Sequence, residues 1–107
     1  MFARSVSIRL KPNSVTELNT ILENEILPLL RKQQGFQDEL TLIAASGQEA
    51  VGISLWDKQE NADGYNRATY PEVQRLLSKV STGTPEVKNY EVSVSTLQKR
   101  AVQRGTA

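Results

Sequence analysis

Phe36-Gln37-Asp38-Glu39-Leu40-Thr41-Leu42-Ile43-Ala44-Ala45-Ser46-Gly47-Gln48-Glu49-Ala50-Val51-Gly52-Ile53-Ser54-Leu55-Trp56 lies at the middle of the chain and decides its fold. On both sides of Ser46-Gly47-Gln48-Glu49 the residues alternate with period two. Residues 36–45 and 50–56 are therefore predicted strands, joined by a hairpin turn and paired antiparallel. In the first, Phe36, Leu40, Leu42 and Ala44 oppose Gln37, Glu39, Thr41 and Ile43, and Asp38 interrupts the apolar side. In the second, Val51, Ile53 and Leu55 oppose Gly52, Ser54 and Trp56.

Working outward, each side of this hairpin carries a helix and then a strand. Upstream, Ser14 and Glu17 have the spacing of a capping box. Val15, Leu18, Ile21, Leu22, Ile26, Leu29 and Leu30 follow as an apolar helical stripe, with Pro28 expected to bend or break the last turn and Gly35 to end it. Before it, Phe2, Arg4, Val6, Ile8 and Leu10 alternate with Ala3, Ser5, Ser7 and Arg9 as a first strand, closed by Lys11-Pro12-Asn13. Downstream, Asp57 and Glu60 form a second capping pair. The helix they open is weak at Gly64, pauses near Thr69-Tyr70 and restarts at Pro71, with Val73, Leu76, Leu77 and Val80 as its buried stripe. Residues 81–85 are a predicted loop and residues 87–97 the last strand.

The order βαββαβ predicts an α+β, ferredoxin-like two-layer sandwich. Its strand order is 4-1-3-2, and right-handed crossovers put both helices on one sheet face. At 107 residues the chain has room for one domain, 1–107, with residues 98–107 expected as a flexible tail. The basic residues Lys99, Arg100 and Arg104 fall in that tail.

Composition excludes several chemistries. The chain has no cysteine and no histidine, which removes thiolate nucleophiles, imidazole metal ligands and serine–histidine relays. A formal charge of +1 offers no nucleic-acid footprint, and no window is long and apolar enough for a membrane span. Nothing resembles a targeting segment, so a cytoplasmic protein is expected. The glycines form no phosphate-binding loop, the acidic residues form no metal set, and the serine-rich strands carry no paired base. No metal and no cofactor are expected.

The face opposite the helices is predicted to carry Ser5, Ser7, Arg9, Glu39, Thr41, Ile43, Ser54, Trp56, Ser93, Ser95 and Leu97. Either it is solvated, or a second copy of the chain covers Ile43, Trp56 and Leu97 across the small serines. Arg4 and Asp38 both break an apolar register. Either they reach solvent near sheet ends, or Arg4 lines a pocket between sheet and helices suited to an acidic or phenolic ligand. Tyr65 and Tyr70 flank the irregular connection from Gly64 to Pro71 and are candidates for a hydroxyl donor at a pocket mouth. Each can equally be a packing aromatic.

Four features together resemble the dimeric α/β-barrel superfamily, and most of all its antibiotic-biosynthesis-monooxygenase-like members. They are Val6-Ser7-Ile8-Arg9-Leu10 before a capped helix, Gly35-Phe36 opening the second strand, Ile53-Ser54-Leu55-Trp56-Asp57 closing the third, and the polar helix ending near Tyr70. The resemblance spans residues 2 to 97. It implies a homodimer joined through the helix-free sheet face, each subunit keeping a cleft between its own sheet and helices. It also implies cofactor-independent oxygenation, in which the substrate's own electron-rich anion activates oxygen. The haem-degrading branch uses a strand-one asparagine, a helix tryptophan and a histidine. Here Val6 stands for the first, Gly64 or Tyr65 for the second, and the third is missing. The expected function is binding of a small aromatic molecule, as a monooxygenase of phenols or quinols with Arg4, Tyr65 and Tyr70 as ligand-binding residues. The alternative is a catalytically silent interaction or regulatory module.

Overall fold

The computed structural model describes residues 1–97; the tail expected at 98–107 lies outside the described residues. Strands β1 (Phe2–Leu10), β2 (Phe36–Ile43), β3 (Glu49–Trp56) and β4 (Ser81–Glu91) form one four-stranded antiparallel sheet in the order β2-β3-β1-β4. The first crossover holds α1 (Val15–Ile21), a π-helical turn (Leu22–Ile26) and α2 (Leu27–Arg31). The second holds α3 (Gln59–Ala68) and α4 (Tyr70–Leu77). This is the ferredoxin-like α+β sandwich with the expected strand order. Its core sits in one layer, where Leu18, Ile26, Tyr65, Val73 and Leu76 meet Phe2, Ile8, Leu10 and Trp56. Among the described residues no helix is long and apolar enough to cross a membrane.

Several local expectations are corrected. The first helical stretch does not break at Pro28. Its ladder widens earlier, where Leu27 N–H donates to the carbonyl of Leu22 five residues back. Pro28 then falls at the start of α2, where its missing donor costs least. Neither capping box forms. Ser14 Oγ donates to the Pro12 carbonyl at 3.4 Å, and Asp57 Oδ1 accepts from Asn61 Nδ2 at 2.8 Å. Asp57 is committed elsewhere, because its N–H donates to the Gly35 carbonyl at 2.9 Å. Gly35 holds φ +80°, and a Cβ there would collide with Asp57 Oδ1 and the Asn61 side chain. α3 runs unbroken through Gly64, while the expected pause does fall at Thr69, with Pro71 in the first turn of α4.

The last strand begins at Ser81, so residues 81–85 are strand rather than loop. Leu10 pairs with Ser81 and Arg9 with Thr82, and a register shift follows beside Gly83 (φ +74°) and Pro85. An edge strand tolerates both residues. Because β4 ends at Glu91, Ser93, Ser95 and Leu97 lie beyond the sheet, not on its open face.

The largest correction concerns the faces. Directly opposed residues of an antiparallel pair share a face. Phe2 pairs with Trp56, Arg4 with Ser54, Val6 with Gly52 and Ile8 with Ala50, so this set of β3 faces the helices. Val51, Ile53 and Leu55 face away. In β2 a bulge between Phe36 and Asp38 reverses the alternation. Phe36 stays with Trp56, but beyond the bulge Glu39, Thr41 and Ile43 turn to the helix side opposite Ser54, Gly52 and Ala50. Leu40 and Leu42 turn outward, 42% and 49% exposed. Asp38, whose irregular placement announced the bulge, is exposed and accepts the Glu39 N–H at 2.9 Å. Trp56 is fully buried on the helix side instead of lying on the open face. The open face therefore carries Leu40, Leu42, Val51, Ile53 and Leu55 beside Ala3, Ser5, Ser7 and Tyr90.

Candidate functional site

Because β3 presents Ala50, Gly52 and Ser54 to the helices, the middle of the sheet lacks side-chain bulk where the helices cross it. Leu18, Leu22, Ile26, Tyr65, Tyr70 and Val73 close over this floor and leave a cavity. Counted as the space open to the centre of a water molecule, it measures about 60 Å³. Leu22 and Ile26 come from the π turn, so the widened helix forms part of the wall. Arg4, Glu39, Thr41 and Ser54 supply its polar lining.

Arg4 is 3% exposed. Its Nη2 donates to Asn66 Oδ1 at 2.7 Å, and its guanidinium carbon lies 4.1 Å from the Tyr70 ring centroid and 5.3 Å from that of Tyr65. Among the described residues the ion pairs are Arg75–Glu72 and Lys88–Glu86, so the buried guanidinium is held by an amide and two ring faces, not by a carboxylate. Cation–π contacts of this kind strengthen away from water. They still leave a positive charge short of anionic partners.

The aromatic residues form a chain behind the cation. The Trp56 ring lies 5.7 Å edge-on from Phe36 and 5.1 Å from Tyr65, and Tyr65 lies 6.3 Å from Tyr70. Trp56 Nε1 donates to Ser54 Oγ at 2.9 Å, and that hydroxyl donates to the Arg4 carbonyl at 3.4 Å. The indole donor is thus already used. Among the described residues Tyr70 Oη is buried near Arg4 with no partner in good hydrogen-bond geometry. Burial pushes the Tyr65 phenol up to about 12 and the Tyr70 phenol upward as well, each partly offset by Arg4. Both hydroxyls stay protonated donors near neutrality. On β2, Thr41 Oγ1 donates to Glu39 Oε1 at 2.7 Å. Burial raises the Glu39 carboxyl, the Thr41 hydroxyl lowers it and Asp38 raises it further.

Arg4, Tyr65 and Tyr70, chosen from the sequence, thus surround one space, while Asp38 lies outside it. Sequence reasoning missed Glu39, Thr41 and Ser54, all assigned to the opposite face, and Asn66. The broken alternation at Asp38 was the signal that could have turned Glu39 and Thr41 inward. Among the described residues no group of three or more acidic, cysteine or histidine side chains comes together to hold a metal.

No family model matches the chain and no curated protein matches its sequence. Solved structures do match. A monooxygenase of Streptomyces coelicolor, from the gene ActVA-Orf6 and in complex with nanaomycin D, superposes with a TM-score of 0.74 at 15% identity over 88% of each chain. A structure described as an antibiotic biosynthesis monooxygenase gives 0.69 at 12% identity, over 88% of this chain and 100% of that one. The chain has the fold of the antibiotic biosynthesis monooxygenases. A conserved protein of Methanosarcina mazei shares it too, with a TM-score of 0.70 at 21% identity over 87% and 94% of the two chains. In this chain Arg4, Tyr65 and Tyr70 lie between the sheet and its own helices, at the cavity described above.

Proposed function

We propose that the chain is a single-domain cytoplasmic member of the antibiotic biosynthesis monooxygenase family that works as a homodimer. In this reading it binds a small phenol or quinol in the Arg4 cavity and oxygenates it without a cofactor. The observation that carries the reading is Arg4: a buried guanidinium that among the described residues makes no ion pair, facing a cavity lined mostly by aromatic and aliphatic side chains, with Glu39, Thr41 and Ser54 as its remaining polar groups. A phenolate supplies the missing negative charge and an aromatic surface together. Arg4 stabilises the anion, Tyr70 Oη gains the partner it lacks, and the aliphatic wall excludes water. At a free ring carbon ortho or para to the anionic oxygen, the phenol or quinol and one O₂ give a quinone (from hydroquinone, a hydroxyquinone) and one water, the electrons coming from the anion. The Streptomyces coelicolor structure of this fold, in complex with nanaomycin D, supports small-molecule binding.

The homodimer rests on the open face. Leu40, Leu42 and Tyr90, the last 50% exposed, surround Val51 and Ile53 on the side without helices. Ala3, Ser5 and Ser7 let a second sheet approach closely. A second copy presenting the same face buries these side chains at about 25 cal/mol per apolar Å². Of the charges assigned to this face from sequence, Arg9 remains there. Glu39 lines the cavity, and Lys88 and Glu86, paired with Ser5 and Ser7 on the open face, form an ion pair with each other.

Oxygen uptake with a panel of phenols and hydroquinones, corrected for the protein-free rate, tests the activity. Saturable uptake that disappears in Arg4→Ala supports it. Saturable binding without uptake reduces the protein to a binding module, and the absence of both overturns the proposal.

A further inference from the structure

The cross-strand row that carries Arg4 continues through Ser54 to Glu39 on the same face. Arg4 and Glu39 therefore stand two strand spacings apart, roughly 10 Å between backbones. Ser54 and, in the next row, Gly52 form the low floor between them, and a Cβ built on Gly52 meets nothing nearer than Glu39 Oε1 at 3.9 Å. A cation and a carboxylate thus line one cavity without closing on each other in an ion pair.

Glu39 occupies an unusual position for a surface-strand acid. Thr41, on its own strand, is the donor that holds it. Across β3 it meets Ser54 and Gly52, and the charged or titratable groups around it are Asp38, Tyr65 and the more distant Arg4. Its partial burial, with one neutral donor and a like charge in Asp38, leaves it poised to accept a second donor.

The geometry points to Glu39 as the residue that selects the ligand: the cavity takes an aromatic ring with oxygens at opposite ends, one anionic oxygen held by Arg4 and one hydroxyl donating to Glu39. This deepens the function proposed above and rests on it. A ring lying over Gly52 and Ser54 spans the interval between the two groups. A phenol with a single oxygen leaves Glu39 with Thr41 alone.

Titration calorimetry under nitrogen, which prevents turnover, compares hydroquinone with 4-methoxyphenol, whose second oxygen cannot donate. The full chain is expected to prefer hydroquinone by roughly tenfold or more, the range for a hydrogen bond to a charged group. Glu39→Ala loses that preference, its affinity for hydroquinone falling to that for 4-methoxyphenol. Glu39→Gln, which keeps the shape and an acceptor but not the charge, falls between them and guards against a folding artefact. A preference for hydroquinone that survives in Glu39→Ala overturns the assignment and leaves the Arg4 site standing. Failure of the unchanged protein to bind either compound overturns both.

Discussion

Ile53 and Ser54 are neighbours on β3, yet hydrophobicity and burial run in opposite directions there. Ser54 is buried at 7% exposure, while Ile53, on the open side, is more accessible. Ala50 and Val51 repeat the inversion, Ala50 being buried and Val51 only half-buried, whereas Leu55 near the strand's end is buried although it faces away from the helices. What packs on each face, more than the polarity of the side chain, sets the pattern. On the helix side the long residues Arg4, Tyr65 and Tyr70 reach in from other elements, so the floor must be small. The open side carries no helix of this chain, and there Leu40, Leu42, Val51 and Ile53 lie beside Ser5 and Ser7, with Lys88 and Glu86 across β4.

The sharpest way to break that comparison is a charge on the outer face. Ile53→Asp should dissociate the proposed dimer, because burying an unpaired carboxylate costs several kcal/mol. Sedimentation equilibrium should then give the mass of a single chain. A persistent double mass would place the interface elsewhere. The inner face answers to pH instead. The folded Tyr65 phenol is raised from 10.0 to about 12, so its contribution is complete below pH 10 and is lost as pH rises through about 12. Unfolding free energies across that interval should fall by about 2–3 kcal/mol, and Tyr65→Phe should remove that part of the slope.

Two smaller effects separate stability from function on the inner face. Arg4→Met exchanges a buried cation for an apolar side chain of similar length. It should change unfolding stability by no more than about 1 kcal/mol while phenol affinity falls about tenfold. A large stability loss with affinity preserved would make Arg4 a packing residue. Tyr70→Phe removes a buried hydroxyl that lacks a partner, so it should stabilise the free protein by about 1 kcal/mol and weaken ligand binding. Thermal and calorimetric measurements on the same samples decide this pair.

The element order and strand order were legible in the sequence, because β1 and both apolar helix stripes follow their expected periods. The faces of the central hairpin were not. Without the bulge between Phe36 and Asp38 the alternation of β2 keeps one phase throughout, and Leu40 and Leu42 are then assigned to the core. In β3, Val51, Ile53 and Leu55 are the bulkier set, and only pairing with Phe2, Arg4 and Ile8 shows that they point away. β4 was displaced because Gly83 and Pro85, ordinary loop signals, sit in an edge strand that accommodates them. Arg4 was legible as an exception to the alternation of β1, and Tyr65 and Tyr70 by their place around the connection from Gly64 to Pro71. Glu39 was invisible because the reversed register gave it an ordinary exposed position.

The proposed ligand sits in the hollow above Gly52, and Trp56, the sole tryptophan, lies 5.1 Å from Tyr65 beside it. Tryptophan fluorescence during titration with hydroquinone under nitrogen should change saturably in the unchanged protein. Gly52→Leu, which fills the floor, should abolish that response while circular dichroism and sedimentation remain those of the folded protein. An unaltered titration in folded Gly52→Leu would contradict the account, because the ligand would then bind somewhere other than this cavity.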